Sequence, residues 1–481
     1  MRSPLTASAG LSRRIGSRPE AVPHGGDHHD GSPMRPAEAA IALEPAIEAA
    51  SVGRITILVC VLTCLALVFD GFDIQAIGFA APRLMTEWGI SRGDLASVLA
   101  AGLVGMGVGA LVVGDLGDRI GRRRALIGCM VVIAAMSLLT ARSQGLRELA
   151  LWRFATGIGL GGALPNATAL MVEFAPTRAR NLSVALTVVG VPVGGMIGSA
   201  VAAAIVPAYG WAAIFIVGAL LPALLAAFMA FLLPESPRYL ATHPGQAARL
   251  ATLMNRVVGT RQYDGTESWF LRDEHSARPG VGALFGPAFR HNTVLIWLIF
   301  FANVLSTYSF FNWTPTLLTG AGLPLNTALR GSLLYNLGGV VGSIGGAFAM
   351  NRLGSKPVMI TLACIAVLST FLLGFVPLGP GVSLWPLFVL VCIAGACING
   401  QQVQMYTLAA HAYPTRIRAT GVGSGLACAR LGGIMSSFAG SVLVHAGGGV
   451  APFFTGIAAV LLLTLTGVIF LRCHVPSTVA R

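Results

Sequence analysis

Glu173-Phe174-Ala175-Pro176-Thr177-Arg178-Ala179-Arg180 is answered, later in the chain, by His411-Ala412-Tyr413-Pro414-Thr415-Arg416-Ile417-Arg418. The proline, the threonine and both arginines align, and a titratable residue stands three positions before each proline. Each copy closes a long apolar run. A second pair matches Gly114-Asp115-Leu116-Gly117-Asp118-Arg119-Ile120-Gly121-Arg122-Arg123 with the degenerate Asn351-Arg352-Leu353-Gly354-Ser355-Lys356, which has lost its acid. The pattern is that of a chain built twice.

Around these marks the chain is overwhelmingly apolar. Of its 481 residues, 55% are hydrophobic and 11% charged, against about 25% charged in a soluble domain. Twelve runs, at roughly 55–81, 94–114, 124–141, 148–172, 181–206, 211–233, 291–318, 327–350, 357–377, 384–410, 419–445 and 450–471, approach or exceed the ~20 apolar residues that cross a bilayer as a helix. They are continuous rather than alternating at period two, which excludes a β-barrel. The expectation is an all-α membrane protein of twelve transmembrane helices in two six-helix pseudo-repeats. Residues 1–50, rich in Pro, Gly and Ala, are expected to be a disordered cytoplasmic tail. A bundle over 51–233, a cytoplasmic linker over 234–290, a second bundle over 291–472 and a short cytoplasmic tail over 473–481 follow. Met34 is a possible alternative start. Glycines concentrate in spans 2, 5, 8 and 11, equivalent places in each triplet, where small residues at three- and four-residue spacing allow close helix contact. That placement suggests the contact between halves.

The formal net charge is +13, but its placement argues against nucleic acid. Apart from Arg153 and Arg430, basic residues sit in loops and tails, and they crowd onto alternate loops. This bias puts both termini in the cytoplasm, in a bacterial inner membrane. Eight cysteines lie in or beside spans without metal-ligand spacing and read as small apolar residues. His24, His28 and His29 with Asp27 and Asp30 suit a solvated tail better than a metal site. No metal and no cofactor are expected, and the chain is expected to act as a monomer.

Several functions are excluded. The only lysine is Lys356, and Gly354-Ser355-Lys356-Pro357 is not the phosphate-cradling loop an ATP-driven pump needs. No catalytic metal motif appears, so an enzyme is not expected. Two repeats around a midplane site describe a secondary transporter instead. Its energy must then come from a gradient, and buried carboxylates fit protons well.

Those carboxylates are Asp70 and Asp73, three apart and so on one helix face of span 1. Two acids together in a dry site do not both stay charged easily, so one is expected to hold a proton near neutrality. Glu173, at the inner end of span 4, suits a proton relay, a gate latch or a plain surface acid, and His411 shares the ambiguity. Arg153, early in span 4, has two competing roles: a salt bridge to the span 1 acids, or an anion contact. Past Glu274 there is no Asp or Glu, yet Arg430 stands mid-span in span 11. Its partner must be a substrate anion or an acid of the other half, and a guanidinium offers a carboxylate a bidentate fork. Asn399, Gln402 and Tyr406 share a face of span 10, while Tyr308, Phe311, Asn312 and Trp313 cluster in span 7. Rings stack on rings, and amides bond a ring hydroxyl, so both groups suit an aromatic acid. Asp115, Asp118, Arg119, Arg122 and Arg123 at the span 2–3 corner suit gating.

These residues also resemble a known family. Gly114-x-x-x-Asp118-Arg119-x-Gly121-Arg122-Arg123 is similar to the signature loop of the major facilitator superfamily. Asp70-Gly71-Phe72-Asp73, Arg153-Phe154-x-Thr156-Gly157-x-Gly159-Leu160-Gly161, Pro234-Glu235-Ser236 and Arg418-Ala419-Thr420-Gly421 with Arg430 resemble its aromatic acid:proton symporters. The likeness runs from about 55 to 470. It implies proton-coupled uptake of a hydroxybenzoate, protocatechuate or phenylpropanoid acid. It also implies functional roles for the span 1 acids, Asp118, Arg153, Glu173, Arg418 and Arg430. Asn351 departs from the pattern, standing where the family often has Asp. A proton-antiport drug exporter and a sugar or organic-acid porter are the rival readings.

Overall fold

In lipid a backbone must satisfy its own hydrogen bonds, and the helix does so within one segment. The computed structural model describes residues 41–49, 52–243, 245–260, 262–270, 280–379, 381–445 and 449–477. The expected histidine cluster and Met34 lie outside them. A short strand β1 (Ile41–Ala42) and helix α1 (Leu43–Ala49) come first. Then follow α2 (Arg54–Trp88), α3 (Arg92–Ile120), α4 (Arg122–Ala141), α5 (Leu146–Phe174), α6 (Thr177–Tyr209) and α7 (Ala212–Leu232), which are spans 1 to 6. The linker holds α8 (Pro237–Thr242), α9 (Ala247–Val258), strand β2 (Trp269–Phe270) and a 3-10 turn at Val281–Phe285. Spans 7 to 12 are α10 (Arg290–Gly320), α11 (Leu325–Leu353), α12 (Ser355–Leu373), α13 (Trp385–Ala412), α14 (Thr415–His445) and α15 (Val450–Phe470).

Eleven of the described helices are long and apolar enough to cross a membrane. The remaining span, α5, has 29 residues. Its interior carries the buried Arg153 and Asn166 and several glycines, which lower its hydropathy without shortening it. The repeat is visible in the backbone. Gly121 and Gly354, at φ 101° and 84°, turn the chain into α4 and α12 at equivalent corners. Left-handed backbone of this kind favours glycine.

Part of the presumed tail is ordered. β1 pairs in parallel with β2, Ile41 opposite Trp269 and Ala42 opposite Phe270. Leu43 and Ile47 of α1 are buried, and α1 packs on α9. Residues 41–49 are thereby tied to the linker.

The glycine-rich spans 2, 5, 8 and 11 do meet between the halves, as α3 on α14 and α6 on α11, and α2 lies on α10; what differs is where the glycines themselves point. Most glycines of these helices face partners in their own half. A Cβ on Gly105 of α3 would fall 2.1 Å from the carbonyl oxygen of Phe154 in α5, and one on Gly342 of α11 would fall 1.9 Å from that of Ala396 in α13. The small residues thus knit each six-helix bundle. The junction between halves holds a close approach at Gly78 of α2, where a Cβ would fall 2.4 Å from the Phe311 carbonyl oxygen of α10, and a polar pair: Gln75 of α2 and Asn336 of α11 exchange hydrogen bonds of 3.2 and 2.9 Å. Both are fully buried. Gly195 of α6 leaves the room they occupy, since a Cβ there would fall 1.9 Å from Gln75 Nε2.

Gly105→Val and Gly342→Val are each expected to destabilise by about 1–3 kcal/mol or more through overpacking. The measure is the thermal midpoint of detergent-extracted protein. Gly107→Ala, with open space around the new methyl, should leave it unchanged.

Candidate binding site between the two halves

The apolar stripes of α2, α3, α5 and α6 meet the more polar faces of α10, α13 and α14 across a central cleft. Its cavity volume is about 80 Å³. The first half supplies Ile74, Met106, Leu164, Val188 and Val191, with one charged group, Asp70. The second supplies Tyr308, Asn399, Gln402, Tyr406 and Arg430. One wall is thus greasy and the other carries hydrogen-bonding groups.

The two acids of α2 have different surroundings. Asp73 is fully buried and committed: Arg153 Nη1 reaches its Oδ2 at 2.9 Å, Arg153 Nη2 donates to its backbone oxygen at 3.1 Å, and Ser137 Oγ donates to its Oδ1 at 2.7 Å. The guanidinium carbon lies 5.6 Å from the centre of the Phe215 ring. Of the two roles open to Arg153, the geometry gives the salt bridge, away from the central cleft. Asp70, three residues earlier, is also buried. It belongs to none of the salt bridges among the described residues, its Oδ1 has no hydrogen-bond partner, and it faces the cleft.

Arg430 comes from the opposite wall. Among the described residues no carboxylate lies within salt-bridge distance of it. It shares the lining of the cleft with Tyr308 and Asp70. Asp73, the other candidate partner, is taken by Arg153. Gln402 is held by Thr307, whose hydroxyl donates to its Oε1 at 3.3 Å. Asn399 donates to the backbone oxygen of Gly395 at 3.1 Å.

The span 7 cluster is split by the structure. Tyr308 and Phe311 line the cleft. Trp313 does not: it is fully buried, and its Nε1 donates to the Ser436 oxygen at 3.0 Å. Asn312 faces a separate small cavity that Arg153 also borders. One helical turn rotates the four side chains to different faces, so closeness in sequence does not place them together.

The corner residues form a brace on the arginine-rich end of the first half. Arg122 bonds Asp118 at 2.7 Å and Glu173 at 2.8 Å. Glu173 also accepts from Ser236 Oγ, and Glu235 accepts from the Arg123 backbone N–H at 3.0 Å. Asp115 and Arg119 pair at 2.8 Å on an exposed face. In the second half His411 and Arg418 are exposed, and Arg418 Nε donates to the Tyr413 oxygen at 3.4 Å. Glu235 stood in the sequence only as part of the Pro234-Glu235-Ser236 motif, and Ser137 and the Gln75–Asn336 pair were not singled out. The signal for the last was available: each is a polar side chain inside a span.

This architecture is that of a membrane carrier. Residues 63–379 match the model of the Major Facilitator Superfamily. The chain is 34% identical over 420 residues to a gallate transporter of Pseudomonas putida, covering 87% of this chain and 92% of that one. It is 35% identical over 422 residues to the 4-hydroxybenzoate transporter PcaK of the same organism, covering 87% and 93%. Among solved structures, a D-xylose-proton symporter superposes with a TM-score of 0.66 at 19% identity, over 89% of this chain and 99% of that one; at that identity the likeness is one of fold. The chain belongs to the major facilitator superfamily, in the family of its aromatic acid transporters. It is a transporter and not an enzyme.

Removing one partner of a buried ion pair leaves an uncompensated charge and costs about 3–5 kcal/mol. Arg153→Ala and Asp73→Ala are therefore each expected to lower the thermal midpoint of the purified protein sharply. The double variant Arg153→Met, Asp73→Leu should recover much of the loss.

Proposed function

We infer that the protein is a secondary active transporter that takes up an aromatic carboxylate together with protons, by alternating access. The observation that carries this reading is the face-off across the cleft between Arg430, with no carboxylate at salt-bridge distance, and Asp70, with an unpartnered oxygen. Buried ions inside a membrane need a partner, and a negatively charged cargo supplies one for Arg430. The aromatic walls of Tyr308, Phe311 and Tyr406 suit a ring, and the relatives named for gallate and 4-hydroxybenzoate support that class.

In the proposed cycle Asp70 takes a proton, the anion settles on Arg430, the halves rock, and both leave on the other side. The driving force is the proton gradient, with no cofactor. The cleft is complete within one chain, which suits a monomer. The setting is a bacterial inner membrane with both termini cytoplasmic, as the arginine-rich loops suggest. Glu173 and the corner arginines serve the gate rather than the cargo. A drug exporter of cations is disfavoured by a positive charge in the cleft, and a sugar porter has no use for it.

Uptake of labelled 4-hydroxybenzoate, protocatechuate and a phenylpropanoid acid, with and without an uncoupler, tests this. Accumulation should collapse with the uncoupler. Asp70→Asn should abolish accumulation, and Arg430→Ala should weaken binding by about a hundredfold or more, as for loss of one member of a buried charge pair worth ~2–5 kcal/mol. Full, uncoupler-sensitive accumulation by Asp70→Asn would sink the proton assignment.

A further inference from the structure

The polar wall of the cleft is gripped from behind. Gln402 of α13 lines the cleft, while Thr307 of α10, which holds its amide, lies outside that lining. Thr307 is 1% exposed. Its hydroxyl has two acceptors in reach, the Asn303 backbone oxygen at 3.0 Å and Gln402 Oε1 at 3.3 Å. A hydroxyl carries one hydrogen, whereas an amide oxygen accepts two bonds. Thr307 therefore orients Gln402 Oε1 without filling it. The seam behind is fixed separately, since the fully buried Asn303 donates from Nδ2 to the Ile398 backbone oxygen of α13 at 3.2 Å.

The wall's other amide and its serine are anchored differently. Asn399 Nδ2 donates to the Gly395 backbone oxygen at 3.1 Å, and Ser343 Oγ to that of Asn399 at 3.5 Å. Backbone holds those two, while a side chain holds Gln402. A cargo that rests its carboxylate on Arg430 and carries a ring hydroxyl brings a phenol O–H into the same cleft. That hydrogen needs an acceptor, because a polar group left unpaired out of water is costly. Gln402 Oε1 has the capacity to be that acceptor.

We propose that Thr307 is a positioning residue for cargo selection: it holds the Gln402 amide so that Oε1 accepts the ring hydroxyl of a hydroxylated aromatic acid. The assignment rests on the aromatic-carboxylate reading above and narrows that cargo to acids bearing a ring hydroxyl. Benzoate has the same ring and the same carboxylate but no hydroxyl. It leaves the Gln402 oxygen underused and forgoes one neutral hydrogen bond, a difference of about tenfold in affinity. Without the threonine hydroxyl the amide is free to swivel, and the acceptor is no longer presented in a fixed direction.

The test is binding of 4-hydroxybenzoate and of benzoate, in parallel and at one pH, to the purified full-length protein by calorimetry. Wild type should bind 4-hydroxybenzoate about tenfold more tightly than benzoate. Thr307→Val, which keeps the shape and removes the hydroxyl, should cut that ratio to about threefold or less by weakening 4-hydroxybenzoate. Thr307→Ser should restore the ratio, and Gln402→Leu should abolish it. A threonine with only a structural role would weaken both ligands together, and that result overturns the assignment. So does a Thr307→Val ratio equal to wild type. Should Thr307→Val fail to fold, Gln402→Leu decides alone, an unchanged ratio overturning the assignment. A wild type that binds both acids equally overturns the selection and leaves aromatic-carboxylate transport standing. A wild type that binds neither overturns both.

Discussion

The buried contact between Asp73 and Arg153 sets the electrostatics of everything around it. It uses the arginine that enters the interior of the first half on one of two neighbouring acids, with Ser137 completing the shell. Asp70 is left facing the cleft without an ion pair. The second half has no acid to offer, because the sequence contains none beyond Glu274. Arg430 is left in the same condition on the opposite wall. Asp70 and Arg430 thus line the same cleft from opposite walls, and neither belongs to a salt bridge among the described residues.

Much of this was legible from residues alone, for physical reasons. Apolar run length gave the spans, and the duplicated Pro-Thr-x-x-Arg-type segment gave the two halves. A charge inside a span is costly enough to be noticed wherever it occurs, which exposed Asp70, Asp73, Arg153 and Arg430. Direction around a helix axis was harder. Trp313 and Asn312 follow Phe311 directly, yet the 3.6-residue turn sends Trp313 into packing against Ser436 and Asn312 toward another cavity. Residues 41–49 escaped notice because a two-residue strand and a seven-residue helix leave no periodic trace. Their order comes from a linker more than two hundred positions away.

The glycines show how one signal serves a purpose other than the obvious one. Their number in equivalent helices pointed to the surface where the halves meet. Gly105 and Gly342 admit carbonyl oxygens of α5 and α13, so each bundle is closely packed within itself. The two bundles are not braced alike. The first ties its corner with Asp118, Arg122, Glu173 and Ser236. In the second, Asn351 occupies the place of the acid, and the exposed Arg416 and Arg418 make no salt bridge among the described residues.

The amide exchange between Gln75 and Asn336 closes the junction opposite that brace with two neutral groups. A bilayer under voltage exerts about 2.3 kcal/mol on each elementary charge moved through 100 mV, and an amide pair offers that field nothing to pull. Ionic strength has equally little grip on it, since there is no net charge to screen. A change of voltage or of salt therefore leaves this clasp untouched.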